Sequence, residues 1–446
     1  MFKRMVLPIG VAVVLIVSAI VGGILIINNV NNYGGKDNDG SSITTDVGLN
    51  GDNHQQSGPV HSHKFDKEPI YSVDGDIAYV SYACSNGCDE RSENKALSNA
   101  VVATPSTIQD VLDTNINGKF VVLSEGVYEH FELRPSLANV QTIRVDTSGG
   151  TNFGEPIYLR SGSNFREISE VVQDVENYNY LYEARFENIT IVGVDGAVLR
   201  SRVDVVSGEV NYMSLLAEDP IRGIQYTQGE WKHTTRLTVK NLKLQNLKFN
   251  GIGATINIAY NENNYEYYDG ISIENCALTT VYEGRFAGSP AIRIDNAKNV
   301  NIIDCNIIGH FYGVYTTNVF NLDCSNNTIK QLNSNAIVLQ SGLFDGYFMG
   351  SINICSNHIE DIYGNGNLSG DRAIYMKNGK HSIITIKDNT FVNAINAGSQ
   401  VAKVFSLENS LFSFVNNNYY ESLLSGGKAI DNIANSAETS FEVKVS

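Results

Sequence analysis

The side chains best suited to chemistry in this sequence recur at alternate positions of short apolar stretches. Thr255-Ile256-Asn257-Ile258-Ala259, Ala291-Ile292-Arg293-Ile294-Asp295, Gly313-Val314-Tyr315-Thr316-Thr317, Ala336-Ile337-Val338-Leu339-Gln340 and Ala373-Ile374-Tyr375-Met376-Lys377 form one series, which ends at Val404-Phe405-Ser406-Leu407-Glu408. A strand with one dry face hides every second residue and displays the others. Stacked in register, the displayed residues make two files. One runs Asn257, Arg293, Tyr315, Val338, Tyr375, Ser406, and the other Ala259, Asp295, Thr317, Gln340, Lys377, Glu408. Glu283, Arg285, His310, Tyr312, Asp371 and Arg372 lie in the connections beside these strands.

Such a set suits work on sugars. Elimination across a uronate needs a cation for the carboxylate, which Arg293 or Lys377 offers. It also needs a base near the C5 proton, for which Tyr315, His310 or a Lys or Arg of shifted pKa are the nominees. Asp295 and Arg372 complete the expected catalytic group. Asn257, Gln340 and Glu283 offer hydrogen bonds and Tyr375 and Tyr312 offer ring faces, so these five are the expected substrate contacts. A calcium ion wants several carboxylates together, and Asp295, Glu283 and Asp371 are the trio available. Hydrolysis would draw on the same three acids, two of them about 5 to 9.5 Å apart. Ordinary solvated sheet surface carries these residue types too, and a face that binds glycans without turnover is the alternative to an enzyme.

An imperfect repeat defines the elements that must hold this face. An apolar-x-apolar pair followed two residues later by an Asn-like corner recurs as Leu237, Val239, Asn241; Ile271, Ile273, Asn275; and Val300, Ile302, Asp304. It continues as Leu322, Cys324, Asn326; Ile352, Ile354, Ser356; Ile384, Ile386, Asp388; and Phe412, Phe414, Asn416. Corner spacing runs from 34 (Asn241 to Asn275) down to 22 (Asp304 to Asn326). A fixed period would mark a helical or leucine-rich solenoid, whereas a variable one above a floor predicts coils of short constant strands joined by elastic loops. The residues after the corners, Cys276, Cys305, Asn327, Asn357, Asn389 and Asn417, predict an inner column of stacked amides. Cys276 and Cys305 then stand about one strand spacing (~4.8 Å) apart, as a stacked pair of free thiols or as a disulfide.

At the other end, Ser106-Thr107-Ile108-Gln109 reads as a capping box with Ser106 as N-cap, opening a short helix with Ile108, Val111 and Leu112 on one face. Val121-Val122-Leu123-Ser124-Glu125-Gly126-Val127-Tyr128 follows it. This pairing resembles the N-terminal cap and first coil of pectate-lyase-like β-helices, whose open end must be covered. Insertions at 260–269, 281–289, 341–350 and 361–370 flank the displayed series and resemble the loops that wall the substrate groove of that superfamily. The resemblance covers residues 104 to 420. It implies an all-β, single-stranded, right-handed parallel β-helix that handles polysaccharides. The Gly-His-Gly pattern of polygalacturonases and the Arg-x-Pro-x-x-Arg pattern of many pectate lyases are absent, so no catalytic residue is carried over from a particular family.

The 446 residues carry a formal charge of −16, which excludes nucleic acid as a partner because phosphate binding needs clustered Lys and Arg. Lys3 and Arg4 precede an uncharged apolar run from Val6 to Ile27, long enough to span a bilayer and oriented to leave the body outside. The expected organisation is a transmembrane signal anchor over 1–29 and a flexible stalk over 30–68, holding His54, His61 and His63 as solvated side chains. An extension over 69–103, the β-helix over 104–430 and a C-terminal strand or cap over 431–446 follow. The body is thus membrane-tethered outside the cytoplasm, or secreted if the leader is cleaved. Cys84 and Cys88 could close a small disulfide loop there, or remain free; a metal site would need further ligands that do not follow in sequence. The function these features predict is a lyase on an external acidic polysaccharide, with calcium as the one cofactor expected; the alternative is a surface adhesin.

Overall fold

Every second residue of the recurring stretches is apolar, mostly Ile, Val or Leu, and a strand so patterned must bury that face. In the computed structural model these strands stack into parallel sheets around one continuous apolar core. It describes residues 63–435 except 135–139, 147–154, 156, 159, 162–163, 166–178, 201–214, 219–232, 251–254, 260–267, 281–289, 341–349, 363–372, 378–381, 395–404, 408–411, 417 and 422–433. The expected anchor, nearly all of the stalk with His54 and His61, and most of the groove-walling insertions therefore lie outside the described residues; positions 268–269 and 361–362 of those insertions instead belong to the strands Tyr268–Glu274 and His358–Ile362. Among those described, no helix is long and apolar enough to cross a membrane.

Each coil gives one strand to each of three sheets. The first coil is Phe120–Leu123, Gly126–Tyr128 and Phe131–Leu133, and a later one is Ala297–Ile303, Asn306–Ile308 and Tyr312–Thr317. The second and third sheets hold 9 strands each, and the first holds 12, extended by Ala100–Ala103 and by an antiparallel pair, Val140–Asp146 and Ile157–Tyr158. The architecture is thus a parallel β-helix, as the repeat predicts. Its interior is built of files of like residues: Ile256, Ile292, Val314, Ile337 and Ile374 are paired in succession and wholly buried.

The corners depend on left-handed backbone. Among non-glycine residues with φ between 48° and 64°, all but Gln331 and Ser356 are Asn or Asp, the side chains that tolerate this region best. Asn246, Asn275, Asp304, Asn326, Ser356 and Asp388 form one corner file between the first and second sheets, with Asn275 Nδ2 donating to Asn246 Oδ1 at 3.0 Å. This corrects the repeat. The strand His233–Gln245 contains the pattern twice, and its pairing of Leu242 with Ile271 and Gln245 with Glu274 makes Asn246, not Asn241, the partner of Asn275. Asn241 (φ 52°) instead bends the strand midway, in a second left-handed file with Asn188, Asn299 and Asn321.

One coil contact leaves no room for a side chain. A Cβ on Gly313 would lie 2.5 Å from the Ala336 carbonyl oxygen and 3.0 Å from Ile329 Cγ2. Gly313→Ala is therefore expected to cost about 1 to 3 kcal/mol through forced separation of neighbouring coils, read as a lower urea midpoint at unchanged slope.

The inner column holds Cys276, Cys305, Asn327, Asn357 and Asn389, and ends on Asn418 rather than Asn417. The run Asn416-Asn417-Asn418 makes the pattern degenerate, and pairing of Lys387 with Asn416 sets the register. Each Asn amide in turn donates to a carbonyl of the preceding coil and to the next Asn Oδ1, which also accepts a backbone N–H. The Cys276 and Cys305 thiols continue the column as free groups, each directed at backbone carbonyls: Glu274 O for Cys276 and Ile303 O for Cys305, both at 3.3 Å. Burial, above all, holds the Cys276 thiol well above its usual range.

A three-stranded antiparallel sheet, completed by the short strand Lys95–Ala96, precedes the coils. β1 (Phe65–Asp74) and β2 (Ile77–Cys84) form an antiparallel hairpin closed by Gly75-Asp76, with only Gly75 at positive φ, as a two-residue turn with Gly at its first central position requires. β1 begins before the expected end of the stalk, and its Tyr71 is buried against the first sheet. The capping helix α1 spans Ile108–Leu112, and its N-cap is Thr107, without a side-chain cap. The expected capping box is not formed. Thr107 Oγ1 turns back to accept the Thr104 N–H at 2.9 Å, while Gln109 exchanges two bonds with the Glu132 backbone and so pins the helix to the first coil.

Candidate functional site

The displayed files form on the third sheet in the register their alternation requires. Asn257 pairs with Arg293, Arg293 with Tyr315, Tyr315 with Val338, Val338 with Tyr375, and Tyr375 with Ser406. The other file runs Asp295, Thr317, Gln340, Lys377. Lys377 is thus about 14 Å from Asp295, three strand spacings away, and the two do not act on one bond.

Arg293 and Asp295 come together instead. Arg293 Nε and Nη2 both reach Asp295 Oδ2, at 2.9 and 2.8 Å. Asp295 is 7 % exposed, and its Oδ1 has no hydrogen-bond partner among the described residues. Burial pushes its carboxyl up, with Arg293 and Thr317 pulling it the other way. Beside this pair stand three rings. Tyr312 and Tyr315 lie 5.4 Å apart between centroids, and Phe311 meets Tyr312 edge-on at 4.6 Å. All three are partly exposed, and burial raises the Tyr315 hydroxyl above its usual range.

The rest of the expected set disperses. Glu283, Arg285, Asp371 and Arg372 lie outside the described residues, so of the calcium trio only Asp295 is described, and Arg293 engages it. Asn257 is 7 % exposed, while Gln340 and Tyr375 are partly exposed and Lys377 is open to solvent. His310 belongs to the core. It is 2 % exposed, with Nε2 unpartnered among the described residues, because the left-handed Gly309 turns the chain inward just before it. It is therefore no base for a ligand on the outer face.

Burial lowers the His310 pKa from 6.5 to about 4. The unfolded chain takes up this proton more readily, so stability falls as pH drops through that window. On the order of 3 kcal/mol should be lost between pH 7 and pH 4. His310→Asn should flatten that portion of the pH dependence, measured as urea midpoints across the range.

A concavity that the sequence does not signal lies between the hairpin and the outer face of the first sheet. It holds about 430 Å³ and is lined by Tyr71, Tyr82, Phe120, Lys243, Gln245 and Glu274, among others. That volume is adequate for a small ligand, yet its polar groups serve each other. Lys243 Nζ meets Glu274 Oε2 at 2.5 Å, Ser272 Oγ donates to Glu274 Oε1 at 2.8 Å, and Tyr71 Oη donates to Gln245 Oε1 at 3.0 Å. The hairpin is also tied to the corner file, with Asn246 Nδ2 donating to Pro69 O and Asn275 Nδ2 to Glu68 Oε2. The concavity is the seam of a docked strap, and burial carries the Tyr71 hydroxyl to about 12.

Fold and site together define a parallel β-helix with an aromatic and charged patch on one sheet. No protein-family model and no curated protein matches the chain. Among solved structures it is similar to the surface protein and adhesin PfbA of Streptococcus pneumoniae, at 11 % identity and a TM-score of 0.26, over 71 % of this chain and 92 % of that one. A superposition that loose carries no weight for function.

Proposed function

We propose that this chain is a surface-displayed, glycan-binding β-helix of the adhesin kind, gripping sugar along the outer face of its third sheet. The observation that carries the reading is the patch in which Phe311, Tyr312 and Tyr315 stand beside the Arg293–Asp295 pair. Partly buried tyrosine rings present apolar faces at low entropic cost, and a guanidinium has five donors, of which only part is turned to Asp295. Arg293 is already neutralised by that contact, and the chain is strongly acidic overall. The ligand best matched is a neutral glycan read through its hydroxyls, rather than the polyuronate expected from the sequence. Elimination chemistry has less behind it, since His310, the histidine nominated as base, is buried and held neutral. Display outside the cytoplasm rests on the apolar run Val6–Ile27 behind Lys3 and Arg4.

The test is to incubate the full chain with neutral glucans and mannans and with alginate, pectate and glycosaminoglycans, with and without Ca²⁺. Retention and absorbance from new unsaturated ends are read together. Retention on a neutral polymer with flat absorbance is the expected result. A steady rise on any uronate polymer, or no retention anywhere, would overturn it.

A further inference from the structure

At the open end of the hairpin, His63 converges with Cys84 and Cys88, which follow it by 21 and 25 residues. His63 Nδ1 lies 3.2 Å from Cys88 Sγ and 3.9 Å from Cys84 Sγ, and all three donor atoms fall within 4.8 Å of one another. The two cysteines are free thiols, not the disulfide loop that Cys84-Ser85-Asn86-Gly87-Cys88 allows, and His63, expected as a solvated stalk residue, is exposed yet engaged with them. Backbone bonds hold the cluster in place. Cys84 N–H donates to Glu90 O at 3.0 Å, Ser85 N–H to Lys64 O at 2.8 Å, and Gly87 turns the loop at φ 82°. The other face of the imidazole is also engaged, with Nε2 3.3 Å from Glu90 Oε2.

We infer that His63, Cys84 and Cys88 form a binding site for a thiophilic divalent cation, Zn²⁺ in the first instance, that staples the two ends of the hairpin. Zinc takes thiolate sulfur at about 2.3 Å and imidazole nitrogen at about 2.0 Å in a tetrahedron. The nitrogen–sulfur edge of that tetrahedron is about 3.5 Å, and the two observed separations bracket it. A carboxylate on the far nitrogen of a metal-bound histidine fixes its tautomer and raises its basicity, which is the position of Glu90. Three protein ligands leave a fourth position for water. The ion would close β1 and β2 at Phe65 and Cys84, their paired ends, and so hold the wall of the concavity over the first sheet. This site is independent of the glycan-binding reading.

The experiment uses the full chain in mild detergent, reduced and stripped with a chelator, then titrated with Co²⁺ as a spectroscopic stand-in. The expected result is one Co²⁺ per chain, with thiolate charge-transfer absorbance and the visible bands of a tetrahedral site, displaced by an equivalent of Zn²⁺. His63→Ala and Cys88→Ser should weaken binding at least about 100-fold and Glu90→Gln about tenfold, with the far-ultraviolet β-sheet signal unchanged in each. Absence of the charge-transfer band, its survival in the Cys88→Ser chain, or recovery of Cys84 and Cys88 as a disulfide despite Zn²⁺ would each overturn the site.

Discussion

Asn357→Ala is expected to destabilise the solenoid by about 3 to 5 kcal/mol, although no surface contact changes. Asn357 Nδ2 donates to Cys324 O and to Asn389 Oδ1, both at 2.9 Å, and its Oδ1 accepts from the backbone N and the Nδ2 of Asn327 at 2.9 and 3.0 Å. The residue is 1 % exposed, so water cannot replace these partners. Alanine orphans a carbonyl, a backbone N–H and half of each neighbouring amide, and each buried orphan costs about 1 to 3 kcal/mol. Only partial relaxation keeps the total below their sum. Stability in a solenoid is close to a sum of coil and interface terms, so the loss should be local. Hydrogen exchange at the amides of Cys305, Asn327 and Asn357 reports it directly, and protection unchanged there would show that the column is not structural. Asn357→Asp should be at least as costly, since it exchanges the amide donor for a buried charge.

Tyr315→Ala is expected to weaken glycan binding about tenfold or more, the effect of removing one aromatic anchor worth about 1.5 to 2 kcal/mol. Tyr315 lies at the centre of the patch, paired with Arg293 on one strand and leaning on Tyr312. Its loss removes one ring face and loosens the other. Arg293→Ala should cost a similar factor for a second reason: Asp295 would keep a buried carboxylate without its cation, to be protonated or hydrated. A neutral glycan would be released with little dependence on salt, while a polyuronate would show a steep one. Calorimetry at two ionic strengths separates them. Affinity unchanged in both variants would remove the third-sheet face from consideration.

The coils, the direction of the strands and the composition of the displayed files were legible in the sequence because alternation is a local property. Ile292, Arg293, Ile294 and Asp295 alternate whichever neighbours they meet, and an Asn at a corner carries its left-handed preference with it. Register was less legible. In His233–Gln245 the apolar pattern repeats after five residues, and only pairing with the next coil decides that Asn246 turns the corner while Asn241 bends the strand. The run of three asparagines at the last coil hid Asn418 in the same way.

What the tertiary structure alone decided is which of the chemically able residues face the same space. His310 follows a corner glycine and lies in the core, Arg293 is bound to Asp295, and Lys377 stands three strands from both. His63 joins Cys84 and Cys88 because β1 folds back on β2 and brings the residue two positions before Phe65 to the end of the partner strand. Local pattern sets the conformation of each residue. Proximity across dozens of residues is a property of strand pairing, which no single stretch of the chain contains.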